Sequence, residues 1–313
     1  MKILRLDEIK KIVNKINLLP IIEAGFVAYS QNQAVVPPVG ELLFDNPSGD
    51  VHIKYGYLKN DDYYVIKIAS GFYENPKINL PSSNGLMLLF SQKTGELISV
   101  LLDEGYLTDI RTAVAGAIAA KYLAPKDINA IGIIGTGIQA RLQLKYLQLV
   151  TNCRKAIIWG RDENKLAAYQ KELSFEGFVI HTTHDIAEVA KYSNLIVTTT
   201  PTKQPLLKLE HIRSGTHITA VGADTPDKQE LESAIFSKAD LIIADSILQC
   251  SERGEIAHAI ADKIITKESI VELGQVIANK KLYKRNSSSI TIADLTGVVV
   301  QDIQIAQAVY LNS

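Results

Sequence analysis

Residues 129–140, NAIGIIGTGIQA, limit what this chain can fold into more than any other stretch. An apolar run ends in a turn built on two glycines, and a helix leaves that turn. The first glycine of Gly135-Thr136-Gly137-Ile138-Gln139-Ala140 makes a tight turn, and the second lets backbone amides approach a pyrophosphate. The small Ala140 lets the helix pack on the strand. By itself the GxGxxA spacing is weak, because flavin and S-adenosylmethionine enzymes use relatives of it. Here it heads a series of strands and helices. KAIIWG leads to a helix from Asp162, FVIHTT to one near Asp185, and NLIVTTT to a short one around Leu209. HITAVG leads to a helix near Glu230, and DLIIAD follows. Alternation of this kind specifies a parallel sheet covered on both faces, a Rossmann-type doubly wound α/β fold. The cofactor expected at such a loop is a nicotinamide dinucleotide.

The second strand of such a fold usually ends in an acid that binds the adenosine ribose. Here AIIWGRD places Gly160 at that point and Arg161 next. A glycine leaves room for a 2′-phosphate and an arginine can pair with one, which favours NADP. Asp162, one step on, could still take a ribose hydroxyl, so NAD stays open.

The first hundred residues have a different rhythm. Residues 5–32 read as two helices, the second from Pro20 to about Gln31. ELLFD, VHIKYGYL, YYVIKIAS, GLMLLFSQ and ELISVLLD then read as strands of an antiparallel sheet with helices on one side. Side chains alternate along a strand, so Lys67 shares a face with Val65 and Ala69, and Lys54 with His52 and Gly56. A lysine there either snorkels from an edge or is held for an anion. Arg111 in TDIRTAVAGAIAAKYLA sits in the opening turn of a helix, where a cation is misplaced unless an anion is drawn to it. The bland alternative is a surface arginine paired with Asp103 or Asp109.

Composition narrows the partners. The chain has 313 residues, enough for two domains, and a net charge of −1 with no basic stripe of the kind nucleic acid requires. No run approaches the ~18 apolar residues of a membrane span. The N-terminus, MKILRLDEIKKIVNKINLL, has the periodicity of an amphipathic helix, not of a signal peptide. Cys153 and Cys250 lack metal-type spacing and read as two free thiols of a cytoplasmic protein. The six histidines show no metal-ligand pattern, and no metal site is expected. His52, beside Lys54, is the one histidine near a candidate site.

Lys67, Arg111, GxGxxA, residues 221–231 (VGADTPDKQEL) and the tail ADLTGVVVQD together resemble the ornithine cyclodeaminase/mu-crystallin family over essentially the full length. The resemblance implies a substrate-binding and dimerisation domain of α+β type, residues 1–124 with 296–313, and a dinucleotide domain, residues 125–295. It also implies that the closing helix, from about Val298 to Tyr310, returns to the first domain, and that the protein is a homodimer. Lys67 and Arg111 would bind an α-carboxylate, and Asp224 would exchange a proton with the reacting nitrogen. Asp224 could instead simply cap a helix starting near Pro226. Lys228 and Thr112 would contact the cofactor, with Gly135, Thr136, Gly137, Ile138, Gln139, Gly160, Arg161, Thr200, Val221, Gly222 and Gly297. Ser82 or Ser83 would touch substrate or nicotinamide, or form a simple turn.

Two departures from the family pattern bear on the substrate. Ornithine cyclodeaminases are similar here but carry a glutamate where this chain has Lys54, and the usual Pro-Arg of the early loop is Pro38-Val39. A cationic side chain is poorly placed near Lys54, whereas a second carboxylate is welcome. The expected activity is hydride transfer between NAD(P) and a small imino or amino acid, iminosuccinate among the candidates. The alternatives are ornithine cyclisation with bound NAD, and an NADPH-dependent binding protein without turnover.

Overall fold

The computed structural model describes every residue except Tyr73 and Leu282. It divides into two units, Met1–Arg111 with Val299–Ser313, and Thr112–Val298. The sequence had put these boundaries near residues 124 and 296.

The first unit begins with β1 (Lys2–Arg5), α1 (Leu6–Val13) and α2 (Leu18–Ser30). A sheet follows: β2 (Ala34–Val35), β3 (Gly40–Asp45), β4 (Ser48–Leu58), β5 (Tyr63–Phe72), β6 (Ser83–Ser91) and β7 (Leu97–Leu102), in the order β1-β7-β6-β5-β4-β2 with β3 also on β4. β1 corrects the sequence reading, which makes this segment part of a helix. It lies parallel to β7, with Lys2 opposite Ser99, and the Ser99 hydroxyl donates to the Lys2 carbonyl at 3.0 Å. Of its four side chains only Leu4 is buried, so little apolar pattern marks it as a strand. The other pairings in this sheet are antiparallel.

Helix α3 (Tyr106–Leu123) begins earlier than the sequence suggested. Asp103 Oδ2 accepts from the Leu107 amide at 2.8 Å, and Gly105 takes a φ of +86°. That start puts Arg111 in the second turn, so a repulsive helix dipole is not what makes it unusual.

The second unit alternates as expected: β8 (Ile131–Ile134), α4 (Ile138–Leu147), β9 (Lys155–Trp159), α5 (Glu163–Phe175), β10 (Val179–Thr183), α6 (Ile186–Tyr192), β11 (Leu195–Thr198) and β12 (His217–Ala220). It continues with β13 (Leu241–Ala244), α7 (Ile247–Cys250), α8 (Glu255–Ala261), β14 (Ile270–Glu272), α9 (Leu273–Ala278) and β15 (Thr291–Asp294). The strands form a parallel sheet in the order β10-β9-β8-β11-β12-β15-β13-β14. Strand order reverses between β8 and β11, the switch point where open α/β sheets bind ligands. Asp162 and Asp185 cap α5 and α6 by accepting from Lys165 and Ala187 amides.

The helix expected near Glu230 is absent. Residues 221–231 run as a loop, and the next helical turn is the short 3-10 segment Ser233–Lys238. The backbone there is committed sideways: the Glu230 carbonyl accepts from Leu206 and Leu207 amides, and Leu231 bridges Leu207. No helix starts at Pro226 for Asp224 to cap.

Helix α10 (Val300–Leu311) packs on α2 and across β4, β5 and β6. The sheet face it covers carries Val65, Met87, Leu89 and Leu101, all fully buried. Lys54 and Lys67 stand on that face directly opposite each other in the β4–β5 register. Like charges so placed repel, and α10 answers them with Asp302.

Candidate active site

In the first unit, Lys67 is 2% exposed, Arg111 5% and Lys54 9%, while Asp302 is wholly buried. Asp302 Oδ1 accepts from Arg111 Nε at 3.0 Å, and Oδ2 lies 3.2 Å from Lys67 Nζ. Arg111 also donates to Gln301 Oε1 at 3.2 Å. It is thus neither a surface side chain nor paired with Asp103 or Asp109 in these contacts. Burial drives the Lys67 ammonium down to about 7; Asp302 opposes this, while Arg111 and Lys54 add to it. Burial also works against ionising Asp302, but Lys67, Arg111 and Lys54 together hold its carboxyl below the usual range. Asp103 is 1% exposed, its Oδ1 has no hydrogen-bond partner, and burial raises its carboxyl to about 6. Two buried lysines and a buried arginine are thus gathered around one firmly ionised carboxylate. Such a locality favours a further anion, and guanidinium with ammonium is a good pair for a carboxylate.

Ser82 is not part of this cluster. Its carbonyl accepts from the Phe72 amide at 2.8 Å at the end of the β5–β6 ladder. The ladder runs from the pair Gly71 and Ser83 to the pair Lys67 and Met87, roughly 13 Å at strand spacing. His52 binds Glu41 Oε1 at 2.8 Å across the β3–β4 hairpin.

In the second unit the glycine turn follows β8 at the switch point. Gly135 has φ +130°, and a Cβ there would collide with Thr199 Oγ1 on the neighbouring loop. Gly137 is exposed, and a Cβ on it would meet nothing within 4 Å. It begins α4 without a side-chain cap, which leaves the helix N-terminus for an anionic ligand. These features fit a dinucleotide pyrophosphate. Arg141, which the sequence reading passed over, braces the loop from behind: its guanidinium donates to the carbonyls of Thr136 and Gly137 and pairs with Glu172 at 2.8 Å.

The other expected cofactor contacts divide. Thr136 packs at Gly160, where a Cβ would lie 2.6 Å from Thr136 Cγ2 and 3.0 Å from Leu166 Cδ2. The space left by that missing side chain is therefore filled with protein, not open for a phosphate. Arg161 beside it is exposed. Ile138 is 55% exposed, and Gln139 Oε1 accepts from Gln143, whose amide also reaches the Thr112 carbonyl at 3.1 Å.

Val221 is held by its amide donating to the Thr198 carbonyl at 3.1 Å, and Thr200 and Gly222 come together through a residue the sequence does not single out. The buried Glu230 carboxylate accepts from the Thr200 amide at 2.6 Å, the Thr200 and Thr198 hydroxyls at 2.8 and 2.7 Å, and the Gly222 amide at 2.8 Å. Burial raises it to about 7 against these donors. Asp245 likewise accepts from the Gly297 and Val298 amides at 2.6 and 3.1 Å. Each is a carboxylate far in sequence from the loop it fixes, which is why spacing could not reveal it. Asp224 lies in the half-buried loop after β12, with Lys228 Nζ 2.6 Å from its Oδ1. The Lys228 carbonyl meets His258 Nε2 at 2.9 Å, which fixes the loop from below.

Comparison with known proteins identifies the family. The profile of the ornithine cyclodeaminase/mu-crystallin family matches residues 2–313. An uncharacterized cyclodeaminase of Sinorhizobium fredii is 43% identical over 98% of this chain and 94% of its own. Iminosuccinate reductase of Paracoccus denitrificans is 33% identical over 92% of this chain and 89% of its own. Among solved structures, an archaeal alanine dehydrogenase dimer with bound NAD matches 100% of this chain and 95% of its own, with TM-score 0.91 and 33% identity. The Δ1-pyrroline-2-carboxylate reductase of Thermococcus litoralis, in complex with NADH and L-proline, matches 100% and 97% with TM-score 0.92 and 28% identity. The chain belongs to the ornithine cyclodeaminase/mu-crystallin family.

Proposed function

We infer that the protein is an NAD(P)-dependent oxidoreductase acting on the carbon–nitrogen bond of a small α-amino or α-imino acid. The observation that carries this reading is the buried cluster of Lys54, Lys67 and Arg111 around Asp302, in a chain that also builds a dinucleotide loop. A bound nicotinamide supplies hydride exchange with the α-carbon. Lys67 and Arg111 hold the substrate carboxylate and so fix the orientation of that carbon. Asp224 exchanges the proton on nitrogen, and the ammonium of Lys228 keeps its carboxylate in place. Glu230 keeps Thr200 and Gly222 in position without touching substrate.

Lys54 sets the side-chain preference. It is buried opposite Lys67, so two lysines share the region with Arg111. An imino dicarboxylate such as iminosuccinate suits it, as does a neutral imino acid; a cationic ornithine does not. The 43% identity to a protein named as a cyclodeaminase supports ornithine cyclisation as the second reading. The test is a panel of amino acids with NAD+ or NADP+, and of keto acids plus ammonia with the reduced cofactors, followed by nicotinamide absorbance. Turnover is expected with dicarboxylic or neutral substrates. Proline and ammonia formed from ornithine, without net absorbance change, would establish the second reading instead.

The protein is further proposed to be a homodimer through its first unit. Leu42, Leu43 and Phe44 of β3 are 54%, 72% and 43% exposed, an apolar edge suited to a second copy. Two free cysteines, one half-buried and one buried, are in keeping with a reducing, cytoplasmic setting.

A further inference from the structure

Four strands of the second unit, β8, β11, β12 and β15, are entered beside one depression of about 550 Å³. Its walls come from the segments just before each strand: Asn129, then Ser193 and Asn194, then residues 213–216, then residues 285–287. These strands are parallel, so the depression lies at their amino ends. The glycine turn and Gly222 follow the carboxyl ends of the same strands. Four-residue strands separate the two edges by roughly 13 Å. The depression is therefore distinct from the cofactor loop, and its volume is within the range of small-molecule sites.

Its charge is one-sided. Lys126, Lys191, Arg213 and Arg285 line it, with Asp127 the one carboxylate in the lining. Arg285 is the anchored member. Its Nη2 donates to the carbonyls of Gly215 and Ser289 at 2.8 and 2.5 Å, while its buried Nε and Nη1 have no hydrogen-bond partner. The Arg285 charge is thus met in these bonds by two neutral carbonyls, not by a carboxylate. Arg213 is held too, with Nη1 on the Lys191 carbonyl at 2.8 Å. Asp240 is the carboxylate whose field reaches Arg285, but one of its oxygens already accepts from the Ile290 amide at 2.7 Å. His217 lies close enough to feel Arg285 and stays neutral, being buried between the hydroxyls of Thr291 and Thr219.

We propose that this depression is a second binding site, for a small multivalent anion whose oxygens engage Arg285 and Arg213, with Lys191 and Lys126 at the rim. Guanidinium groups suit phosphate and carboxylate oxygens alike, so a phosphate ester and a polycarboxylate share the required chemistry. The ligand bridges the connector between α3 and β8 and the entries to β12 and β15.

The test is calorimetric titration of the full-length protein, saturated with NADH so that the glycine turn is filled. The probes are pyrophosphate and, separately, citrate. At least one is expected to bind one-to-one with a Kd below about 1 mM, leaving the NADH affinity unchanged. Binding of pyrophosphate alone assigns a phosphate source, of citrate alone a carboxylate source, and of both the shared chemistry. Arg285→Gln should weaken binding by about tenfold or more, the worth of a charge-assisted bidentate contact. Lys191→Gln changes an exposed side chain and leaves the fold intact; it should weaken binding by about threefold. The proposal is overturned if neither anion binds below about 1 mM, or if Lys191→Gln and Arg213→Gln both bind like the parent protein.

Discussion

Replacing Asp302 by asparagine removes a charge and almost no volume, so it isolates the electrostatic role of this carboxylate. Asp302 lies 3.0 Å from Arg111 Nε and 3.2 Å from Lys67 Nζ, and all three side chains are buried. At an effective dielectric of about 20, each contact is worth about 5 kcal/mol before desolvation is counted. Most of that offsets the cost of burying the charges. What is lost on removing one partner is the compensation of the cations left behind, about 3–5 kcal/mol. For a cooperative unit of this size that lowers Tm by roughly 10 °C or more. Calorimetric melting of Asp302→Asn, without cofactor, reads this directly. The same substitution in a Lys67→Met background should cost less, because one of the stranded cations is gone. The sign with pH is also fixed. The folded carboxyl is held below its usual range, so its stabilisation is present above about pH 4 and is lost as pH falls. The parent should lose stability in acid that the variant has already lost. A Tm drop of only a degree or two, or an equal drop in both backgrounds, would refute the idea that Asp302 balances the cluster.

Lys67 acts in the same sense over a higher pH window. Burial lowers its folded pKa to about 7, so above that pH the unfolded chain keeps the proton longer and stability rises with pH toward the ordinary lysine range; urea unfolding at pH 7 and pH 9 should show a gain that Lys67→Met lacks. The two turn glycines should behave differently. Gly135→Ala, at φ +130° and against Thr199, should destabilise the fold by a few kcal/mol. Gly137→Ala should leave melting within about 1 kcal/mol of the parent, yet weaken NADH by about tenfold in a fluorescence titration; unchanged NADH affinity would remove Gly137 from the cofactor path. Arg161→Ala should weaken NADPH more than NADH, and an unaltered ratio would reject Arg161 as a phosphate ligand.

Much of the second unit is readable from sequence because its strands are buried on both faces. IGII, LIVT and LIIA are unbroken apolar runs between turn residues, the pattern that a strand covered by helices above and below requires. β14 is three residues long and β1 buries only Leu4, so neither offers enough pattern to separate it from its flanks. Among the charged residues the division is sharper. Lys67 and Arg111 attract notice because each is a charge in apolar company. Asp302 does not, because in VQDIQIAQAVYL it stands among glutamines and reads as one polar position of an ordinary helix. Its burial is created by where α10 packs, not by its neighbours in the chain. Glu230 escapes notice for a related reason, since the Thr198 and Thr200 groups it accepts from lie about thirty residues earlier.

The buried carboxylates of the two units are held by different kinds of partner. In the second unit each is engaged by backbone amides: Glu230 by Thr200 and Gly222, Glu255 by residues 230 and 231, Asp245 by 297 and 298, and Asp294 by 256. A peptide N–H brings no net charge, so these groups tie loops to the sheet without calling for a counter-ion. Burial accordingly raises Glu230, Glu255 and Asp294, which ionise less readily than exposed acids. In the first unit the situation is reversed. Lys54, Lys67 and Arg111 all act on Asp302, with Lys67 itself lowered by burial to about 7, and Asp103, the other carboxylate whose field includes Lys67, is raised to about 6. The register places Lys54 opposite Lys67, so two lysines and an arginine share this locality. Under the proposed function a substrate carboxylate would join this locality, which is a physical reason for the cluster to bind an amino or imino acid by its acid end and not by its side chain.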